Sequence, residues 1–429
     1  MTSCGQRLAG MRGTATAGDV LLVTARRCNG SGGWFVVQVR TTRTRASGSR
    51  YTGAVQVVYA HEAPPEVICA SIFLAGPTPR DADVASWRTD ALALLAERGF
   101  TGVVFVPEPR DGAWVRDYDG QVAWEEAHLH MADVVLFWLP RELTRMPGLT
   151  TNDEWGTHKH SGKVVFGAPP GAAKVRYQQY YAEKLHIPTA DSLAGTIDAA
   201  LAELGAGAER RGGERQVPLH VWRTHAFQAW YAALSAAGHR LDGARLEWVC
   251  RSGPGRRWLF LWALRVDVYV PAEDRSKRSE VVIGRPDVAA VVMHRGGEVV
   301  LVREFRSAVR NARGMVLELP SGSSFDASLA ADRVAAEEVH EETGLRVEVE
   351  RLVPVGSRQV AATLLGHHAR LFVVELSADE MAWLAAHAGV QRGSYAGERT
   401  YVEIRRVEEL LGGDDVDWST LGMILAALR

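Results

Sequence analysis

Cysteine is scarce in this chain. Its four cysteines (Cys4, Cys28, Cys69, Cys250) lie far apart, with no CxxC pair and no histidine at metal spacing beside them. That argues against a disulfide framework or a zinc finger, and it fits a reducing, cytoplasmic compartment. Lysine is scarcer still for its class: of 49 basic residues five are Lys and 44 are Arg. With the richness in Ala and Gly, that bias reads as codon usage more than as phosphate recognition. Long apolar runs are missing too. The longest, Trp258 to Leu264, is far short of the roughly 18 residues of a membrane helix. The patch Val20 to Val23 is too short for a signal-peptide core, so no secretory signal is expected. A formal net charge of −2 excludes wholesale polyanion binding, although residues 1–60 carry eight Arg against the single acid Asp19.

What remains is an ordinary globular composition, 47% hydrophobic and 23% charged, over 429 residues. At roughly 150 residues per domain, that length predicts about three units. Residues 1–62 read as a small β-rich or partly ordered segment, with short apolar runs at Val20–Thr24, Trp34–Val39 and Ala54–Tyr59. The stretch TTRTRASGSR, residues 41–50, is a basic loop; a solvated loop is favoured over a nucleic-acid contact. Residues 63–205 alternate strand and helix: strands at Ser71–Ala75, Gly102–Val106, Val134–Leu139 and Val164–Gly167, and helices at Asp83–Arg98, Gln121–Ala132, Asp153–His160 and Asp191–Leu204, the last with Asp191 as N-cap. Such alternation predicts a parallel sheet covered by helices, with ligands at the carboxyl ends of the strands. Residues 206–244 read as a Gly-rich charged linker and an amphipathic helix around Val221–Ala236; residues 245–429 form the last unit.

The motifs FLAGP, WRTDAL, VPEPRDG, YDGQVAWE, ADVVLFWLP, LTTNDEWG and GKVVFGAPP stand in order from Phe73 to Pro170. Together they resemble the nucleoside 2-deoxyribosyltransferase-like family, which implies a flavodoxin/Rossmann-like parallel sheet. Carried over from that resemblance, Glu154 matches the nucleophile that attacks the anomeric carbon of the sugar, and Asp133 an acid near the base. Gly76, Arg88, Asp119 and Glu125 lie in motifs that shape the sugar and base pocket. A carboxylate suits this chemistry, because departure of the base leaves an oxocarbenium-like centre that it can trap, while a second carboxyl group protonates the base. Water would then give an N-glycosidase and a second base a transferase. Taken alone, Glu154 is a first-turn acid after the cap candidates Thr150, Thr151 and Asn152. Asp133 serves equally well as a strand-start anchor, and Arg88 with Glu125 as a structural ion pair.

In the last unit, ELPSGSSFDASLAADRVAAEEVHEETGL (Glu318–Leu345) resembles the Nudix box, and GERTYVEIRRVEEL with DWSTLGMILAALR resembles the tail of ADP-ribose-type pyrophosphatases. The resemblance implies an α/β/α Nudix fold from near Leu246 to Arg429. Glu338, Glu341 and Glu342 fall at i, i+3 and i+4 on one helix face, where three acids repel unless a divalent cation such as Mg²⁺ or Mn²⁺ joins them. The box departs from its pattern in three ways. Glu337 stands where Arg is expected, one residue is inserted after Gly322, and Leu329 occupies the register of the upstream Glu. Loss of that Arg weakens the support of the metal ligands, so hydrolysis is in doubt while metal binding is expected. Glu398 is the general-base candidate, with an exposed loop acid as the alternative. GAGAER at Gly205 is no dinucleotide fingerprint and there is no P-loop. The histidine pairs His128/His130, His158/His160 and His367/His368 read as core or surface, and Trp155 as core more than as a platform for a base.

The expectation is a multidomain nucleotide-processing enzyme. One site would cleave or exchange an N-glycosidic bond through Glu154, and the other would hydrolyse a nucleoside diphosphate derivative with Mg²⁺. The alternative makes the Nudix-like unit a non-catalytic sensor that regulates the first. A small-molecule nucleotide or nucleoside is the expected partner, without membrane or nucleic acid. The sequence does not fix an oligomeric state; a homo-oligomer is only what the two resemblances imply, since both folds often pair in their families.

Overall fold

A computed structural model describes residues 54–429, except 82, 113–116, 254, 255, 257 and 394–398, and before them two short strands. Those strands, β1 (Leu22–Thr24) and β2 (Gln38–Arg40), pair antiparallel within a separate N-terminal unit, residues 1–54. The basic loop 41–50 and Glu398 lie outside the described residues.

The next sheet has six parallel strands: β3 (Gln56–Tyr59), β5 (Ser71–Ala75), β6 (Val103–Val106), β7 (Val134–Trp138), β8 (Val164–Gly167) and β9 (Thr189–Ala190), in the order β3-β6-β5-β7-β8-β9. β5 and β7 are buried throughout, which is why they read as unbroken apolar runs and not as alternating patterns. Alternate side chains feed two cores. Ile72, Leu74 and Leu136 meet α1 (Trp87–Glu97) and α5 (Leu193–Leu204); Phe73, Phe105 and Phe137 meet α2 (Tyr118–Met131), α3 (Leu149–His158) and α4 (Arg176–Lys184). The expected parallel sheet is present. The run Ala54–Tyr59, read with the N-terminal segment, instead supplies β3 to this sheet.

Three local readings change. α5 is capped by the Ser192 side chain and not by Asp191, since it is the Ser192 Oγ that accepts from the Gly195 N–H at 3.2 Å. The helix expected around Val221–Ala236 is two, α6 (Leu219–Trp222) and α7 (His225–Ala236), because Thr224 caps the second through the Phe227 N–H. The stretch read as a linker is ordered: β10 (Arg210–Arg211) pairs antiparallel with β4 (Val67–Ile68), and a 3₁₀ turn follows at Gly212–Gln216.

A three-stranded antiparallel sheet comes next, β11 (Arg240–Ser252), β12 (Trp258–Val270) and β13 (Arg275–Gly284), with one face packed on Phe227 and its neighbours from α6 and α7. The last sheet is mixed. Its spine runs β16 (Val316–Glu318), β15 (Glu298–Glu304), β14 (Val288–Arg295), β19 (His368–Glu375), β18 (Val353–Gln359), while β17 (Ser321–Gly322) pairs with β14 and β20 (Tyr401–Arg406) with β15. α8 (Ala331–Thr343) and α9 (Ala378–Ala386) cover one face; α10 (Val407–Gly412) and α11 (Trp418–Ala427) cover the other. No helix among the described residues is long and apolar enough to cross a membrane.

Candidate functional site

In the six-stranded sheet the chain departs from β5 to β6 on one side and arrives at β7 on the other. The crevice at the carboxyl ends of β5 and β7 is therefore the switch point where open α/β sheets place ligands. Gly76 ends β5 there, and a Cβ on it would lie 2.2 Å from the Trp138 carbonyl oxygen, so only glycine lets the two strand ends approach. Arg88, in the first turn of α1, is almost fully buried. Its Nε donates to the Leu74 carbonyl (3.0 Å), one Nη to the Gly76 carbonyl (2.8 Å), and the other to Thr78 Oγ1 (3.2 Å) and Glu108 (2.6 Å). Arg88 thus pairs with Glu108 and shapes the loop after β5; the ion pair anticipated with Glu125 is not the one formed. Sequence reasoning misses Glu108, although VPEPRDG sets it two residues beyond β6, at the same strand-end level as Gly76.

Glu154, on α3, lies within electrostatic reach of Arg88 and Glu125. The helix begins at Leu149 behind Gly148, a left-handed N-cap with φ 57°, so Glu154 lies in the second turn and not in the first. None of the three expected cap residues caps it: Thr151 is buried, and Asn152 Oδ1 accepts instead from Arg141 (2.7 Å) and Gln178 (2.8 Å). Burial raises the Glu154 pKa to about 7, with Glu125 and Asp153 adding to the rise and Arg88 opposing it. Glu125, on α2, is also raised, mainly by burial, against the pull of its 2.7 Å hydrogen bond from Gln121 and of Arg88. Glu154 and Glu125 are thus two partly buried carboxyl groups in the field of one guanidinium, both with the protonated form favoured by burial. Asp119 is exposed in the first turn of α2, next to the residues 113–116. Trp155 packs edge-on against Phe137 and Phe166 and is core.

Asp133 is not part of this constellation. It precedes β7, at the amino end of the sheet, and its oxygens are committed: Arg210 (2.7 and 2.6 Å), the Ser71 N–H (2.8 Å) and Oγ (3.0 Å), and the Leu219 N–H (2.9 Å). Both side chains of the Asp133–Arg210 pair have no exposed surface. The residue is a structural anchor, which corrects its expected role as a catalytic acid.

Residues 69–172 match a family described as nucleoside 2-deoxyribosyltransferase like. That span holds Gly76, Arg88, Glu108, Glu125 and Glu154, so the matching segment and the switch-point crevice coincide. No curated protein matches the chain. The deoxyribosyltransferase-like segment ends before Arg210 and Leu219, the two residues that complete the surroundings of Asp133.

The second expected site is arranged differently from its pattern. On α8, Glu341 is exposed, whereas Glu342 is buried and its carboxylate accepts from the Ser321 N–H at 3.0 Å. Glu338 presses against Gly322, where a Cβ would sit 1.9 Å from its Oε1. Among the described residues no three His, Cys, Asp or Glu side chains converge to hold a metal ion. Glu338 and Glu342 both meet β17 while Glu341 is exposed, so the three carboxylates expected to hold magnesium do not converge on one point. Two further carboxylates stand near Glu342, and both bind Arg306: Glu304 at 2.8 Å and Glu318 at 2.8 Å.

Proposed function

We propose that the chain breaks or exchanges the N-glycosidic bond of a nucleoside or nucleotide, with Glu154 as the nucleophile. The observation that carries this reading is the Glu154–Glu125 pair at the β5/β7 switch point, inside the span that matches the deoxyribosyltransferase-like family. Ionised Glu154 would attack or stabilise the anomeric carbon as the base departs, and Glu125 is the carboxyl group that would deliver a proton to the leaving base. Arg88, fixed by four contacts, would hold the crevice open and limit the charge that gathers there. Chromatography of a nucleoside and nucleotide panel tests the reading. Wild type should release free base, or exchange it when a second base is supplied, and Glu154→Ala should lose at least about 10³-fold in rate. Equal rates in the two proteins would remove Glu154 from the chemistry.

For the C-terminal unit, the Nudix-box resemblance supports a nucleotide-handling module, and the exposure of Glu341, away from Glu338 and Glu342 at β17, favours binding over Mg²⁺-dependent pyrophosphate hydrolysis. A cavity of about 660 Å³ beside the box supports the same reading. It is lined by Trp258, Phe260, Phe325, Arg285 and Arg370 among others, a size and chemistry suited to a nucleoside with phosphates. Its occupancy would regulate the glycosidic site.

A further inference from the structure

We propose that the C-terminal unit binds its nucleotide without a divalent cation, Arg306 serving as the resident counter-ion of the box carboxylates and Arg285 as the group that meets the phosphates. The inference rests on the nucleotide-binding reading of that unit.

Arg306 follows β15, and its guanidinium joins two strands. One Nη lies 2.8 Å from Glu304 on β15 and 2.8 Å from Glu318 on β16, and Nε lies 3.0 Å from the same Glu318 oxygen. Burial draws the Arg306 pKa down, but Glu318, Glu304 and Glu342 together raise it above its ordinary value. One fixed positive group therefore binds Glu304 and Glu318 and is felt by Glu342, the one of the three expected metal glutamates that lies in its field. Both carboxylates turn an oxygen to the same Nη, so the point where their oxygens converge is already filled by the guanidinium, where a hard cation would need to stand at about 2.0–2.6 Å from each. The sequence departures agree. Glu337 stands on α8 where the box pattern has Arg, and Arg306 brings a cation from the strand side.

Arg285 stands at the wall of the aromatic cavity, within electrostatic reach of Arg306 and Glu318. Its Nη2 donates to Ser323 Oγ at 3.1 Å, and its guanidinium lies 5.0 Å from the Phe260 ring. Its buried Nε has no hydrogen-bond partner among the described residues. Burial and the neighbouring Arg306 push its pKa down, with Glu318 opposing, so the group would gain from an incoming anion. At the same cavity Phe325 and Trp258 stack at 5.2 Å with an interplanar angle of 22°, and both are exposed, about two-fifths of each surface being open to solvent. They offer an apolar face for a nucleobase within reach of that cation.

The test uses the full chain carrying Glu154→Gln, so that glycosidic turnover cannot consume the probe. ADP is titrated calorimetrically with Mg²⁺ and again with excess EDTA, and Mn²⁺ alone is followed by electron paramagnetic resonance. The proposal expects one ADP site with the same affinity in both conditions, about tenfold or more weaker in Arg285→Ala, and no saturable Mn²⁺ site. Arg306→Gln should create Mn²⁺ binding that Arg306→Lys does not, and melting curves identify any variant that has simply unfolded. ADP binding that appears only with Mg²⁺, or a Mn²⁺ site in the parent that Glu342→Gln abolishes, would overturn the proposal and leave the nucleotide reading standing. No ADP binding in either condition would overturn both.

Discussion

Glu154, the nucleophile in the proposed reaction, would also carry a cost to the fold. Its folded pKa is raised from 4.5 to about 7, chiefly by burial. A raised carboxyl pKa means that the folded chain holds the proton more tightly than the unfolded one. No cost arises below about pH 4.5; it grows as pH climbs towards 7 and then stays constant. At about 1.4 kcal/mol per pKa unit it amounts to about 3 kcal/mol. Glu154→Gln should therefore melt several degrees higher than wild type at pH 8, with the gap closing at pH 4.5, as thermal melts over that range would show. Activity should follow the opposite requirement, rising with pH through about 7 as the nucleophile ionises. The motif LTTNDEWG makes Glu154 legible in the sequence. Its setting is not: three polar residues before it look like caps, while the true start is Gly148, whose left-handed backbone leaves no pattern beyond the glycine itself.

At the level of elements, the strands and the helices with an apolar stripe can be read because β5 and β7 are buried on both faces and α1 and α5 on one. α4 is hidden from such a reading for a physical reason. Its sequence RYQQYYAEK is polar on average and buries only Gln178 and Ala182, so no apolar stripe broad enough to signal a core helix marks it. Asp133 is easily misplaced because proximity to a strand is visible in sequence but the end of the sheet is not. Its contacts come from Ser71, Arg210 and Leu219, three segments far apart along the chain. Removing one member of a fully buried pair leaves the other charge unpaired, so Asp133→Ala should cost about 3–5 kcal/mol in denaturant unfolding. The folded fraction of that variant should keep the wild-type pH–rate profile, a result a catalytic acid could not give.

Across the whole molecule, the stretch that joins the six-stranded sheet to the three-stranded one is not a hinge. Residues 206–216, a linker by their charge and glycine content, carry β10, and the Arg210 guanidinium also donates to the Val217 carbonyl at 2.6 Å. Composition tells where a chain avoids a core of its own, but it does not tell when such a segment is drawn into the core of a neighbour. A fragment ending at residue 205 should consequently melt without a cooperative transition, while one ending at residue 236 should regain it, with calorimetry as the check. The same anchor has a consequence for synthesis. As the chain leaves the ribosome, Asp133 emerges long before Arg210 and Leu219, at sequence separations of 77 and 86 residues. Until those residues appear, closing the sheet would strand a bare carboxylate in apolar surroundings. The nascent sheet must wait partly open, exposed to chaperones and proteases, although most of its strands are already made.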